Sequence, residues 1–305
     1  MRRLVVLLAL LVAGIAAAPS PQPTFAVVAW PALLNCYDVT DAEGTSVDGA
    51  VTMLDVFKVA GKFGAAYPSD DYLLLYDVSG GGAITTEDIL AVAGQFGRVC
   101  PLMETQVAKA TLATEKYRDW SVAEADGYVK WTQYVTQMGI HVSRADWLKV
   151  AFDPTEPMGL LYTDDGSGQP DELIGMWYVV PMPEVCETFA NDPNSGLFGV
   201  DPATCPAAEP VGFGLTNTDE DNQDLNFIQT AWHTHDGWCL GDVGLDTAWI
   251  LGIDSEDFCL NDTPGPGPGG GNGALWFETY GWMIHLYNFY PNPTARFVSW
   301  NNNLP

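Results

Sequence analysis

Positive charge is scarce in this chain. Its 305 residues hold 12 Lys and Arg against 39 Asp and Glu, a formal net charge of −27. Phosphate backbones repel a protein this acidic, so no nucleic-acid partner is expected, and an anionic membrane surface is disfavoured for the same reason. Long apolar runs are also scarce. One, Leu4 to Ala18, follows Met1-Arg2-Arg3 and ends in alanines. That layout reads as a secretory signal peptide over residues 1–18. No later segment carries enough uninterrupted apolar residues to span a bilayer, so no membrane contact is expected after cleavage. The expected location is secreted and extracellular.

Several motifs of chemistry are missing as well. Gly-x-Ser-x-Gly, His-Glu-x-x-His and a phosphate loop do not occur. Cys-x-x-Cys is absent too, which argues against a thiol-redox or cysteine-zinc site. The acidic run from Asp219 to Asp224 reads as a solvated turn, with calcium binding as the alternative. Pairing two of the 39 acids for glycoside hydrolysis would be arbitrary.

An internal repeat is present. Asp55-Val-Phe-Lys-Val-Ala-Gly-Lys-Phe-Gly64 matches Asp88-Ile-Leu-Ala-Val-Ala-Gly-Gln-Phe-Gly97 at six of ten positions. Upstream, Tyr37-Asp38-Val39-Thr40 mirrors Tyr76-Asp77-Val78-Ser79. The second copy has the spacing of a twelve-residue calcium loop: Asp77, Ser79, the carbonyl of Ala83, Thr85 and Asp88 as ligands, with Gly82 at the sharp turn. Position 5, usually acidic, is Gly81. The first copy offers Asp38, Asp48, the carbonyl of Ala50, Thr52 and Asp55, with six extra residues at about Asp41 to Ser46. The helix after the second loop is expected to bury Ile89, Val92, Ala93 and Phe96 and to end at Gly97. Alternatively, the repeat keeps its helix packing and binds no metal.

Residues 37–97 resemble the dockerin family: two loop-helix repeats ending in the Val-Ala-Gly-Gln-Phe-Gly type of helix. The resemblance implies an EF-hand-like, all-α paired calcium-loop module, bound calcium and a cohesin-like partner. A cell-surface or glycan partner is the other possibility.

Six cysteines fit an oxidising compartment. They permit 15 connectivities, but they bracket segments. Cys36 and Cys100 flank the repeat, Cys186 and Cys205 enclose a polar loop, and Cys239 and Cys259 enclose another segment. Sequential pairing is expected. The organisation is then a signal peptide (1–18), a calcium-loop module (36–100) and a third part (101–305).

In the third part, residues 104–127 look helical, with Val107, Ala110, Ala113, Tyr117 and Trp120 on one face. Strand-like stretches follow at Tyr128–Val135, Leu160–Tyr162, Leu173–Val180, Phe227–His233 and Trp282–Phe289. Asp164-Asp165-Gly166 reads as a hairpin, and Pro264 to Gly273 as a surface loop. The expected fold is a mostly β sandwich or barrel with one long leading α-helix.

All four histidines lie there: His141, His233, His235 and His285. Residues two apart on a strand share a face, so His233 and His235 can converge on one ion. With His285 and His141 they would suit zinc, copper, iron or nickel, and Asp236, Asp242 or Glu278 could replace one imidazole. Singly, His141 and His285 read as satisfied core residues. The segments around His141, Leu173–Tyr178 and His285 to Phe297 resemble a group of secreted bacterial proteins of unknown function, with Trp177 where a carboxylate is expected. The His-x-His is similar to cupins, although Cys239 and Leu240 stand where a Glu is expected.

Three functions are in play: extracellular binding or assembly through the calcium module, a metalloenzyme using His233, His235 and His285, and extracellular metal capture.

Overall fold

Two Thr-x-x-Asp boxes start the first helices. Thr52 caps α1 (Met53–Gly61) and Thr85 caps α2 (Thr86–Ala93). Each Thr hydroxyl accepts a first-turn N–H, and the Asp three residues on accepts the Thr N–H, at 2.6 Å for Asp55 and 2.7 Å for Asp88. Both carboxylates also meet the positive end of the helix.

The computed structural model describes residues 36–40, 47–144, 146, 148–193, 195–207, 212–213, 232, 236–240, 275–279, 281–290, 292, 296–297 and 301–304. Residues 1–18, expected to be a signal peptide, lie outside these residues, as do Asp41 to Ser46, the strand expected at 227–233 apart from Trp232, His233, His235, Cys259, the 219–224 run and the 264–273 loop. So does the Cys239 side chain. Among the described residues no helix is long and apolar enough to cross a membrane.

The duplication is a structural one. The Ile84 N–H donates to the Ala65 carbonyl and the Gly64 N–H to the Ile84 carbonyl, both at 2.8 Å. Val51 makes the equivalent pair with Arg98 and Gly97, again at 2.8 Å. Each loop is thus tied to the residues behind the other repeat's helix. Cys36 and Cys100 are joined, and so are Cys186 and Cys205, as sequential pairing requires.

Two expectations for this module are corrected. α2 ends at Ala93, and Gly97 takes a left-handed turn (φ +82°) four residues later. Val92 is buried and Ile89 half-buried, but Ala93 and Phe96 face solvent. Two short helices share one seam, and nothing among the described residues covers their other faces.

The expected long helix is broken. α3 (Leu102–Thr114) runs into a 3₁₀ turn (Glu115–Arg118), and α4 (Trp120–Ala125) follows. The reason is Asp119, whose extended backbone and side-chain bond to the Ser121 N–H start a new helix.

Five strands form one antiparallel sheet, in the order β1 (Val129–Val135), β2 (Gly139–Ser143), β3 (Gly159–Asp164), β4 (Pro170–Pro181), β7 (Gly281–Leu286). β5 (Asp236–Leu240) and β6 (Leu275–Thr279) pair separately. β2 has no counterpart in the sequence reading, and neither has α5 (Pro183–Phe189). The β3–β4 turn is held by Asp164, whose Oδ1 accepts the Gly166 and Gly168 N–H groups at 2.8 and 2.9 Å. The described strands therefore give a β-rich part built on one sheet.

The sheet is buried on both sides. Ile140, Val142, Leu160, Met176, Tyr178 and Ile284 pack in one core with Val107, Ala110 and Tyr117. Leu161, Trp177, Val179 and Met283 form a second core with α5 and its disulfide. Such a strand as β4 reads as a continuous apolar run. The first core extends without a break into the module, through Tyr72, Leu74 and Ile84. At that joint the Arg118 guanidinium lies over Tyr67, Tyr72 and Phe289 and bonds Glu115 at 2.6 Å.

Candidate functional site

The two loops use their carboxylates differently. In the second loop Asp77 is satisfied within the protein. Its Oδ2 accepts from the Gly82 N–H (2.6 Å) and the Tyr72 hydroxyl (2.7 Å), and its Oδ1 from the Gly81 N–H (3.0 Å). Asp88 accepts from the Ser79 N–H at 2.8 Å as well as from Thr85. Burial pushes the Asp88 carboxyl up, but the Ser79 and Thr85 donors outweigh it and hold it below its ordinary 3.8.

The first loop is less balanced. Asp55 is fully paired, accepting from Val39 (2.7 Å), Thr40 (2.9 Å) and Thr52. Asp38 is not. It is 1% exposed, its Oδ2 accepts the Gly49 N–H, and its Oδ1 has no partner. Burial pushes its carboxyl up from 3.8 to about 7, with the negative charges of Asp55 and Asp48 adding to the rise. Asp48 accepts the Ala50 N–H at 2.9 Å. A buried carboxylate oxygen without a donor is costly, and a cation beside it removes the cost. The oxygen-only donor set, Asp38, Asp48, Asp55 and the Ala50 carbonyl, fits calcium in kind. The side chains are not gathered into a finished cage: no group of three or more His, Cys, Asp or Glu among the described residues is close enough to hold a metal ion.

Tyr72 was not singled out from the sequence. It sits five residues before Asp77, and the matching place before Asp38 is Leu33, which has no hydroxyl. That difference was readable as a donor present in one repeat and absent from the other.

Of the four histidines, His141 and His285 are described and lie together, with ring centroids 5.8 Å apart. Trp232, next to His233, is buried against Phe152 and hydrogen-bonds the Gly212 carbonyl at 3.2 Å. It belongs to the core on the α3 side of the sheet, with Tyr178. His141 is in register with Leu161, and His285 with Trp177; both of those partners pack in the core on the opposite side.

No family model matches the chain, and no curated protein matches it. One solved structure with a likeness is a type II cohesin–X-dockerin complex from Acetivibrio cellulolyticus, an N-terminal interface mutant. Its matching chain is 29% identical over 20% of this chain and 38% of that one, with a TM-score of 0.18. The match therefore spans well under half the length of that chain, and a TM-score so low carries no argument.

Proposed function

We propose that residues 36–100 are a calcium-stabilised, dockerin-like docking module of an exported protein, anchored on its β-rich part. The observation that carries the calcium reading is Asp38, buried and one donor short beside Asp48 and Asp55. Calcium takes oxygen ligands and is bound more tightly as their negative charge grows, so the first loop is the primary site. The second loop, with Tyr72 and four backbone N–H groups on Asp77 and Asp88, is the weaker one or is vacant of metal throughout.

Docking is supported by what the module leaves uncovered. Phe57, Phe63, Leu90 and Phe96 are 64, 62, 66 and 61% exposed. Phe57 and Leu90 hold equivalent places in the two repeats, and so do Phe63 and Phe96. Contiguous exposed apolar surface marks interaction sites. A cohesin-like protein is the partner that the dockerin resemblance implies.

Isothermal titration of the full chain with calcium tests the site. One equivalent is expected to bind, with binding lost in Asp38→Ala and kept in Asp77→Ala. No heat of binding, or loss only in Asp77→Ala, refutes the assignment. Docking is tested by biolayer interferometry against purified cohesin domains. Phe57→Ser/Leu90→Ser is expected to weaken binding at least tenfold while leaving the calcium titration unchanged. Failure of every cohesin to bind sinks the docking reading alone.

A further inference from the structure

The sheet face turned away from α3 carries a cluster that the module does not use. His141 on β2 and His285 on β7 are separated by β3 and β4 in the sheet order. Their rings nevertheless meet, with centroids 5.8 Å apart and planes at 89°. Two glycines help this convergence. His141 is in register with Leu161, and Leu161 with Gly175, so β4 presents no side chain at that point of the row. Trp177, in register with His285, lies across Gly159, where a Cβ would overlap its indole. The indole stacks on Trp131 (5.1 Å, 6°) and lies 6.1 Å from the His141 ring.

The chemistry of His141 is that of a ligand rather than of a cation. The residue is buried, and burial pushes its imidazole down to about 4, so the ring is neutral near pH 7. Its Nδ1 is 3.5 Å from the Thr132 hydroxyl, which also accepts the His141 N–H at 3.0 Å. The Gly139 backbone also bonds the ring, and Nε2 has no partner; with the ring proton on Nδ1, the Nε2 lone pair is bare. A bare ring nitrogen sealed in an apolar core is a cost that a bound ion removes.

We propose that His141 and His285 form a buried two-imidazole site for monovalent copper. Two imidazoles holding one ion at about 2.0 Å place their ring centroids roughly 5.2 Å apart at a tetrahedral angle and roughly 6.4 Å apart in line. The observed 5.8 Å lies between these limits. The charge of the ion follows from the surroundings. Among the described residues no charged side chain shifts His141; only burial and the backbone act on it. A divalent ion would sit there without a counter-charge, and the cost of burying charge grows with its square. Copper in its monovalent state accepts few ligands and suits imidazole and thioether donors. Met283, two residues before His285 on β7, is buried on the same face and offers a thioether. The indoles of Trp131 and Trp177 shield the pair from water and oxidant.

With both rings so enclosed, the ion loads as the chain folds. The test is anaerobic refolding of the full chain with monovalent copper, in competition with bicinchoninate, and in parallel with zinc. The wild type is expected to retain one equivalent of copper and no zinc. His141→Phe and His285→Phe should each weaken retention at least a hundredfold, and His233→Ala/His235→Ala should retain it. Copper retained equally by His141→Phe, or zinc held as tightly as copper, overturns the proposal. Monovalent copper is diamagnetic, so the histidine ring signals of the wild type give a second reading that needs no variant. Ring resonances of His141 and His285 that do not move on copper loading overturn it as well.

Discussion

Asp38→Asn separates charge from shape at the first calcium loop. The amide keeps an oxygen for the Gly49 N–H and removes the negative charge that Asp48 and Asp55 oppose. Without calcium, the folded protein holds the Asp38 proton up to about pH 7, against an ordinary value of 3.8. Because the folded value is the higher one, the contribution to stability is full below 3.8 and is lost as pH rises through about 7. At about 1.4 kcal/mol per pH unit the upper limit is about 4 kcal/mol. The loop lies near solvent, which roughly halves this to about 2 kcal/mol. For a protein of this size that corresponds to about 3 °C in melting temperature.

The assay is differential scanning calorimetry of wild type and Asp38→Asn at pH 5 and pH 8, in chelator and in calcium. His141 works in the opposite sense, because its folded value is lowered to about 4 and its stability contribution is lost on acidification. The difference between the two proteins cancels that contribution. In chelator, the wild type is expected to lose about 1 kcal/mol more than Asp38→Asn between pH 5 and pH 8, because part of the contribution is already gone at pH 5. Calcium should abolish the excess loss and should not raise the melting temperature of Asp38→Asn. Parallel pH profiles in chelator, or equal responses to calcium, would refute the reasoning.

Two further outcomes are expected. Replacing Cys36 and Cys100 by Ala opens a bridge with a sequence separation of 64, and the chain-entropy relation gives a loss of about 4 kcal/mol, read as a lowered melting temperature without reductant. At the joint between module and sheet, Arg118→Ala strands Glu115, which is buried and whose carboxyl burial already pushes up. That variant should lose about 3 kcal/mol in urea unfolding, whereas Glu115→Gln/Arg118→Met should lose much less.

The local elements of the third part were largely legible in the sequence. Tyr128–Val135, Leu160–Tyr162 and Leu173–Val180 lie on β1, β3 and β4, because runs of β-branched and aromatic residues between turn signals read as strands. β2 was missed because Gly139-Ile-His-Val-Ser143 is short and lacks alternation: all five residues are buried. The helix break was missed because the apolar spacing runs on through Asp119, whose capping role depends on the backbone around it. At the candidate site, the sequence placed Asp38 and Asp77 at the first position of their loops and favoured the second loop for its regular spacing. The Tyr72 hydroxyl was readable as a donor that the first repeat lacks, but its reach to Asp77 and the unpartnered oxygen of Asp38 depend on the fold.

What the sequence determined by itself was periodic or local. The duplication, the loop spacing, the Thr-x-x-Asp caps, the acidity and the bracketing cysteines are properties of neighbours along the chain. The tertiary structure decided everything that depends on distance through space. It joined the module and the sheet in one core around Arg118. It made the first loop the unsatisfied one. It brought His141 and His285 together from strands that are not adjacent, across a glycine. Burial and convergence depend on which surfaces meet, and no spacing along a single chain encodes that.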